Sequence, residues 1–187
     1  MNIDENSNPW LSLEKTDIYE NAWIKIDEHK VKNPNNGIGI YGQVHFKNFA
    51  VGILVLDEYY NTWLVGQFRF PLDKYSWEIP EGGGPLNKAP IESAKRELKE
   101  ETGIIANKWT TLMEMDLSNS VTDESSICFV AQDLEFGEAM PEETEQLQLK
   151  KVSFDEAYNM VMNGDIRDSI SVAAILKTKI LIEKGEL

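Results

Sequence analysis

Residues 82–104 read GGGPLNKAPIESAKRELKEETGI, a glycine run followed by a predicted helix. Asn87 is a suitable N-cap, and Pro90 is tolerated in a first turn because its nitrogen needs no intrahelical bond there. Gly103 suits the residue that ends a helix. Glycines directly before a helix let the backbone approach a phosphate or a metal ion closely, although a triple glycine is also common in ordinary turns.

Three carboxylates lie near the end of this predicted helix. Glu97 and Glu101 are four residues apart and share one face, while Glu100 lies about a third of a turn away. Carboxylates this close repel one another unless a hard divalent cation lies between them, and oxygen ligands suit Mg²⁺ or Mn²⁺. The alternative is a solvated glutamate-rich face with pairs four residues apart.

The whole segment resembles the Nudix box, G-x5-E-x7-R-E-U-x-E-E-x-G-U with U apolar. The matching positions are Gly82, Arg96, Glu97, Leu98, Glu100, Glu101, Gly103 and Ile104. Lys88 stands where the box has its first glutamate, which in the family mostly pairs with the arginine. We therefore expect Arg96 to pair with Glu92 or with another acid.

The resemblance implies metal ligands and a metal-dependent attack by water. Glu97 and Glu101 would bind the metal directly, Glu100 would be a ligand or the partner of a metal-bound water, and the carbonyl of Glu81 would add a ligand. Diphosphate esters resist water because anionic oxygens screen the phosphorus, so metal ions must neutralise charge and activate the attacking water.

Working outward, the chain before the box is rich in predicted strands. Residues 23–31 and 38–46 alternate in polarity, and 33–37 reads as a turn, so an N-terminal β-hairpin is predicted after a frayed segment at 1–12. Further strands are predicted at 51–56, 62–70, 109–115, 126–133 and 146–152. Ser153 and Asp168 are predicted N-caps of two terminal helices.

These elements predict a mixed α/β (α+β) fold in helix, sheet and helix layers. The resemblance makes it a Nudix-like sandwich with a mixed β-sheet and an N-terminal β-hairpin extension. We divide the chain into a hairpin and dimerisation segment at 1–48 and a catalytic domain at 49–187.

Outside the box, nearly the whole chain resembles ADP-ribose and nucleotide-sugar pyrophosphatases. Their Gln-x-Arg strand and the following segment with Trp, Glu and Pro resemble Gln67, Arg69, Trp77, Glu78 and Pro80. The resemblance implies that Arg69 reaches the substrate phosphates and that Glu78 helps to bind substrate. The alternative for Arg69 is a surface salt bridge.

Four more residues are candidates for substrate binding by resemblance. Trp23 and Tyr41 stand where related enzymes place aromatic rings that sandwich the base across a dimer, and hairpin packing is the alternative for each ring. Ser120 and Glu124 belong to a stretch that resembles the loop lining the terminal sugar. A polar hairpin turn is the alternative for that stretch.

Two late glutamates complete the candidate site. Glu143 and Glu145 precede a predicted strand, in the loop that supplies the family's late catalytic glutamate. We assign Glu143 as general base, with Glu100 and Glu101 as the other catalytic carboxylates, and Glu145 as an auxiliary metal ligand. An acidic surface loop is the alternative.

The composition limits the kinds of partner that the protein is expected to bind. The 187 residues carry a net charge of −14, which disfavours nucleic acid, and the longest apolar runs have strand length, so no membrane span is expected. Cys128 is the single cysteine, which excludes an internal disulfide and favours the cytoplasm. The resemblance implies a homodimer.

Together these features predict Mg²⁺-dependent hydrolysis of a nucleoside diphosphate sugar, with Mn²⁺ as a second usable ion. Two alternatives stay open. One is a Nudix enzyme that hydrolyses nucleoside triphosphates, and the N-terminal hairpin argues against it. The other is a non-catalytic nucleotide-sugar sensor, against which the retained Glu97, Glu100 and Glu101 argue.

Overall fold

The computed structural model describes residues 5–139 and 146–187. The chain forms two compact units. The first comprises the N-terminal residues up to Asn48 together with Asp116–Glu124, and the second comprises Phe49–Met115 and Ser125–Leu187.

The N-terminal unit contains an antiparallel sheet of three strands, β1 (Leu11–Glu20), β2 (Ile24–Lys32) and β3 (Ile38–Phe46), in that order. The predicted hairpin is confirmed as β2 and β3. Its turn forms because the Asn33 side-chain oxygen accepts hydrogen bonds from the N–H groups of Asn35 and Gly37, while Asn36 adopts the left-handed conformation with φ 66°.

Strand β1 was not predicted, and the expectation of a frayed segment at 1–12 is wrong for Leu11 and Ser12. Every residue of β1 is exposed, so the strand has no buried apolar face that a sequence pattern could reveal. Two irregularities in its pairing with β2, at Ser12/Glu14 and Asp17/Tyr19, also interrupt the alternation of side chains.

The second unit is built on two sheets. Their strands are β4 (Asn48–Val55), β5 (Asn61–Arg69), β6 (Lys74–Glu78), β7 (Glu81–Pro85), β8 (Ile104–Asp116), β9 (Ser125–Phe136) and β10 (Gln148–Ser153). One sheet has the order β7-β4-β9-β8, and the other has the order β10-β5-β6. Because β4 runs parallel to β9 while β5 is antiparallel to both of its neighbours, the strand pairing is mixed, as predicted.

Among the described residues, this unit also contains the α-helices α1 (Pro90–Thr102), α2 (Phe154–Asn163) and α3 (Ser169–Glu183). Alternate residues of β4 point to opposite faces of the sheet. On one face, a buried core joins α1 to the sheet through Phe49, Val51, Ile53, Val55, Ala94 and Leu98. On the other face, a side chain at Gly52 would collide with Ile170 of α3. The predicted helix, sheet and helix layers are therefore confirmed.

Cys128 lies near Gly52 on the α3 face of β9, where it is fully buried. Burial away from water, followed in importance by the negative charges of Glu81 and Asp168, raises the pKa of its thiol to about 12.

The predicted caps of the last two helices are confirmed. Ser153 accepts a hydrogen bond from the N–H of Glu156, and Asp168 accepts one from the N–H of Ser171 at 2.7 Å. Gly164 ends α2 with φ 80°. In the described parts of the chain, no helix combines the length and the apolar character needed to cross a bilayer.

Helix α1 ends at Gly103 with φ 71°, as predicted, but it does not begin at Asn87. Its N-cap is Ala89, which has an extended backbone (φ −67°, ψ 127°), and Pro90 is the first helical residue. A residue that precedes proline is disfavoured in the helical conformation, so the proline determines where this helix starts.

Candidate active site

The backbone at Glu81 and Gly82 meets two carboxylates of helix α1. The N–H of Glu81 donates a hydrogen bond of 3.1 Å to Oε2 of Glu101. A side chain at Gly82 would collide with the carboxyl group of Glu97. Glu97 and Glu101 are only 9% and 4% exposed. The two glutamates that the helical spacing placed on one face therefore both lie against the same short stretch of backbone.

The glycine run forms strand β7 and not the turn that is common for such runs. Gly84 is buried, and a side chain there would collide with Ser93 of α1 and with the ring of Phe49. The expected close approach of the glycine backbone to the helix is thus present, and it brings β7 against the α1 face that carries Ser93 and Glu97.

Arg96 links the glutamates of the helix to the glycine strand. Its guanidinium donates to Glu97, to Glu100 at 2.6 Å and to the carbonyl of Gly83 at 2.9 Å. Burial alone would lower the pKa of Arg96, but Glu97 and Glu100 outweigh that effect and raise it. The expectation that Arg96 pairs with another acid is confirmed, and the first suggestion, Glu92, is wrong.

Glu92 pairs with Lys95 on the exposed side of α1 at 3.2 Å. Glu92 and Glu100 both lie four residues from Arg96, so spacing alone does not separate them. The carbonyl of Gly83 separates them, because it accepts a hydrogen bond that keeps the Arg96 guanidinium on the side of β7. There, Glu97 and Glu100 can accept hydrogen bonds from the guanidinium.

Arg69 at the end of β5 is held by two acids. Its Nε donates to both carboxylate oxygens of Glu78 at 3.0 and 3.1 Å, and its Nη2 donates to Glu78 and Glu81. The Glu78 side chain is 4% exposed and that of Arg69 is 34% exposed, so this ion pair is partly buried. Burial would lower the pKa of Arg69, but the two glutamates outweigh it and raise it.

A third acid, Asp168, joins this cluster from the N-cap of α3. Carboxyl oxygens of Glu78, Glu81 and Asp168 all lie within 4.8 Å of one another. Burial, then the charges of Asp168 and Glu78, raise the pKa of Glu81 well above its usual range, and Arg69 acts in the opposite direction. The sequence indicated Asp168 only as a helix cap, since it carried no signal of a second role.

The donor set at α1 and β7 fits a hard divalent cation. Its members are carboxylate and backbone oxygens, which Mg²⁺ and Mn²⁺ prefer. Glu97 and Glu101 converge on the Glu81–Gly82 backbone, and Arg96 holds Glu100 beside Glu97. The absence of a side chain at Gly82 leaves room for the Glu97 carboxylate at that point.

In the N-terminal unit, the structure brings Tyr41 and Ser120 together. The Tyr41 hydroxyl donates a hydrogen bond to the carbonyl of Ser120. The rings of Trp10 and Tyr41 meet edge-on, with their centroids 5.4 Å apart. Trp23 is 67% exposed, so its ring is not packed in the sheet. Burial raises the pKa of Glu124. The sequence did not indicate the contact between Trp10 and Tyr41.

The His45 side chain links the segment that contains Ser120 and Glu124 to the N-terminal sheet. One ring nitrogen lies 2.9 Å from Asp27, and the other lies 2.6 Å from Asp123. The imidazole of His45 thus lies between two carboxylates, one on the sheet and one on the segment. Asp123 also accepts the N–H of Phe46 at 2.9 Å.

Glu143 and Glu145 lie outside the described residues. Their assignments as general base and auxiliary metal ligand stay predictions.

Two family models and several curated proteins are similar to this chain. The family model of the NUDIX domain matches residues 47–171, and that of the nucleoside diphosphate sugar hydrolase N-terminal domain matches residues 10–44. An ADP-ribose pyrophosphatase of Mycobacterium tuberculosis (strain ATCC 25618 / H37Rv) is 32% identical over 85% of this chain and 78% of its own length. An ADP-ribose pyrophosphatase of Bacillus subtilis (strain 168) is 29% identical over 88% of this chain and 89% of its own length.

A crystal structure of an ADP compounds hydrolase has the same fold. It superposes with a TM-score of 0.85 at 19% identity and covers 98% of this chain and 100% of its own. The matched NUDIX domain spans more than half of the chain and contains all the glutamates of α1. The chain therefore belongs to the Nudix hydrolase family.

Proposed function

We propose that this chain hydrolyses the diphosphate linkage of a nucleoside diphosphate sugar, such as ADP-ribose, another ADP-sugar or a GDP-sugar, with Mg²⁺ as its metal and Mn²⁺ as a substitute. The products would be a nucleoside monophosphate and a sugar phosphate. The observation that carries the proposal is the convergence of Glu97 and Glu101 on the Glu81–Gly82 backbone. Relatives named ADP-ribose pyrophosphatase support the substrate class.

The bound metal would neutralise the charge on the phosphate oxygens and favour deprotonation of the attacking water. Glu97, Glu101 and the carbonyl of Glu81 would bind it, with Glu100 and Glu145 as further ligands or partners of bound water. Glu143 would take the proton from the attacking water as general base.

Arg69 would reach the substrate phosphates, and Glu78 would help to bind the substrate. In the described part of the chain, the ion pairs with Glu78 and Glu81 use Nε and Nη2 of Arg69, so Nη1 is the nitrogen left for a phosphate oxygen. Held in this way, the guanidinium is already oriented before substrate arrives, which lowers the entropic cost of binding.

The N-terminal unit would bind the ends of the substrate. Trp23 and Tyr41 would stack on the base across the dimer, and Ser120 and Glu124 would contact the terminal sugar. The exposure of the Trp23 side chain supports its availability for stacking on a base.

We further propose a cytoplasmic homodimer in which residues 1–48 form the dimerisation segment and residues 49–187 the catalytic domain. Exposed apolar residues on the N-terminal sheet support a partner surface there. Leu11, Ile38 and Ile40 are 56%, 61% and 74% exposed.

A substrate panel tests the proposal. ADP-ribose, ADP-glucose, GDP-mannose, NADH and dGTP are each assayed with Mg²⁺ for the release of monophosphate, in parallel with an excess of EDTA. We expect a nucleotide sugar to give the highest kcat/KM and EDTA to abolish the reaction. A higher kcat/KM for dGTP would instead identify a triphosphate hydrolase, and full activity in EDTA would refute the metal mechanism.

A further inference from the structure

Two residues at the start of α3 contact the segment that carries Glu78, Glu81 and Gly82. The buried hydroxyl of Ser171 accepts a hydrogen bond of 2.9 Å from the N–H of Ile79. The carboxyl group of Asp168 lies within 4.8 Å of the carboxyl oxygens of Glu78 and Glu81. The start of α3 thus accepts a hydrogen bond from the backbone of this segment and places a third carboxyl group near two of its side chains.

The same segment is held from two other directions. The carbonyl of Pro80 accepts a hydrogen bond of 2.8 Å from the N–H of Ile53 in β4. From the side of α1, Glu101 accepts the N–H of Glu81 and Glu97 lies against Gly82. The position of the Glu81–Gly82 backbone relative to the α1 carboxylates therefore depends on β4, α1 and the start of α3 together.

Asp168 and Ser171 are also joined to each other. Asp168 accepts the N–H of Ser171 at 2.7 Å, which caps α3. Serine or asparagine would cap a helix as well as aspartate does, so capping alone does not call for a negative charge. Asp168 adds a third carboxyl group beside Glu78 and Glu81, and Arg69 is the described cation that pairs with those two glutamates. The carboxylate of Asp168 has a place in this cluster beyond the cap.

We propose that Asp168 and Ser171 are positioning residues of the metal site: from the start of α3 they fix the Glu78–Gly82 segment at which Glu97 and Glu101 meet. This inference rests on the proposed function. Groups that orient metal ligands without touching the metal commonly affect metal affinity by about tenfold or more. Neither residue is assigned a contact with the metal or the substrate.

Two variants of full-length protein test the proposal. Ser171→Ala removes the acceptor for the N–H of Ile79, and Asp168→Ser keeps a helix cap but removes the carboxylate. Ser153→Ala is the matched control, because it removes the N-cap of α2 in the same unit and its hydroxyl contacts Glu156. Direct Mg²⁺ binding by calorimetry, the Mg²⁺ dependence of kcat, and the melting temperature are measured for all three and for the unmodified protein.

We expect Ser171→Ala and Asp168→Ser to raise the Kd for Mg²⁺ on the order of tenfold and to raise the Mg²⁺ concentration at half-maximal rate in parallel. Ser153→Ala should lower the melting temperature and keep the Kd. If both α3 variants lower only the melting temperature, as the control does, their role is structural and the inference is overturned. If the unmodified protein binds no Mg²⁺ at all, the proposed function itself fails, and this inference fails with it.

Discussion

The N–H of Glu81 donates to the side chain of Glu101 over 3.1 Å, which joins the glycine strand directly to the last turn of helix α1. The carboxylate of Glu101 is therefore oriented by the backbone of β7 as well as by its own helix. The strand that contains the glycines of the Nudix box is thus bonded to the helix that contains its glutamates. Each of these two elements restricts the position of the other.

Neutralising either buried glutamate of α1 should greatly reduce turnover. We expect Glu97→Gln and Glu101→Gln each to lower kcat by at least about a hundredfold, because each would remove negative charge from the proposed metal site. Steady-state kinetics at saturating Mg²⁺ measure the effect, and circular dichroism checks that both variants fold.

Glu92→Gln is the matched control for these two variants, since Glu92 lies on the exposed side of the same helix and pairs only with Lys95 among the described residues. Its kcat should stay within about twofold of the unmodified enzyme, as is usual for weak surface ion pairs. Unchanged turnover in Glu97→Gln or in Glu101→Gln would contradict the Nudix mechanism.

Gly82→Ala should be far more harmful than its size suggests. The added methyl group would overlap the Glu97 carboxyl group, so either the carboxylate or β7 must move away from the metal site. We expect kcat/KM to fall by at least about tenfold. Gly39→Ala in β3 is the control, because a methyl group there meets nothing within 4 Å. Equal kinetics for the two variants would show that the approach of Gly82 to Glu97 does not matter.

Substitutions of the two late glutamates should change the dependence of the rate on Mg²⁺ in different ways. Glu143→Gln should depress kcat and leave the Mg²⁺ affinity nearly unchanged, because a general base acts on the water and need not bind the metal. Glu145→Gln should raise the Mg²⁺ concentration needed for half-maximal rate. If Glu143→Gln keeps its kcat while Glu100→Gln or Glu124→Gln loses it, another residue is the base.

Acid should destabilise the N-terminal unit through Asp27. Its fully buried carboxylate contacts Lys15, Lys25 and His45. The hydrogen bond with Lys15 is the largest cause that holds the pKa of Asp27 well below its usual range. A lowered pKa means that the folded state binds the proton less tightly than the unfolded state. The stabilisation is therefore present above about pH 4 and is lost as the pH falls below it.

Chemical unfolding at a series of pH values from 7 to 3 checks this expectation. Asp27→Asn should be less stable than the unmodified protein at pH 7, and the difference should shrink below about pH 4. Asp17→Asn, which removes an exposed partner of Lys25, should have a smaller effect at every pH. A constant difference between Asp27→Asn and the unmodified protein across the series would contradict the assignment.

The sequence could predict those parts of the fold that depend on local chemistry. The end of α1 at Gly103 and the caps at Ser153 and Asp168 follow from residues that satisfy helix termini within three or four positions. The shared face of Glu97 and Glu101 follows from the helical repeat alone.

Contacts between distant segments could not be predicted in this way. Glu100 and Glu92 are equally spaced from Arg96, and only the approach of Gly83 decides between them. Asp168 reaches Glu81 because α3 packs on the sheet, which no local pattern reveals. Strand β1 was not predicted from the sequence because it buries no side chain.

The buried state of Cys128 makes the chain convenient for spectroscopy. With its side chain inaccessible and its pKa at about 12, the native thiol should resist maleimide reagents at neutral pH. A Met162→Cys variant would then present a single reactive thiol on the exposed side of α2. One spin label or fluorophore per chain could be attached there without first removing the native cysteine.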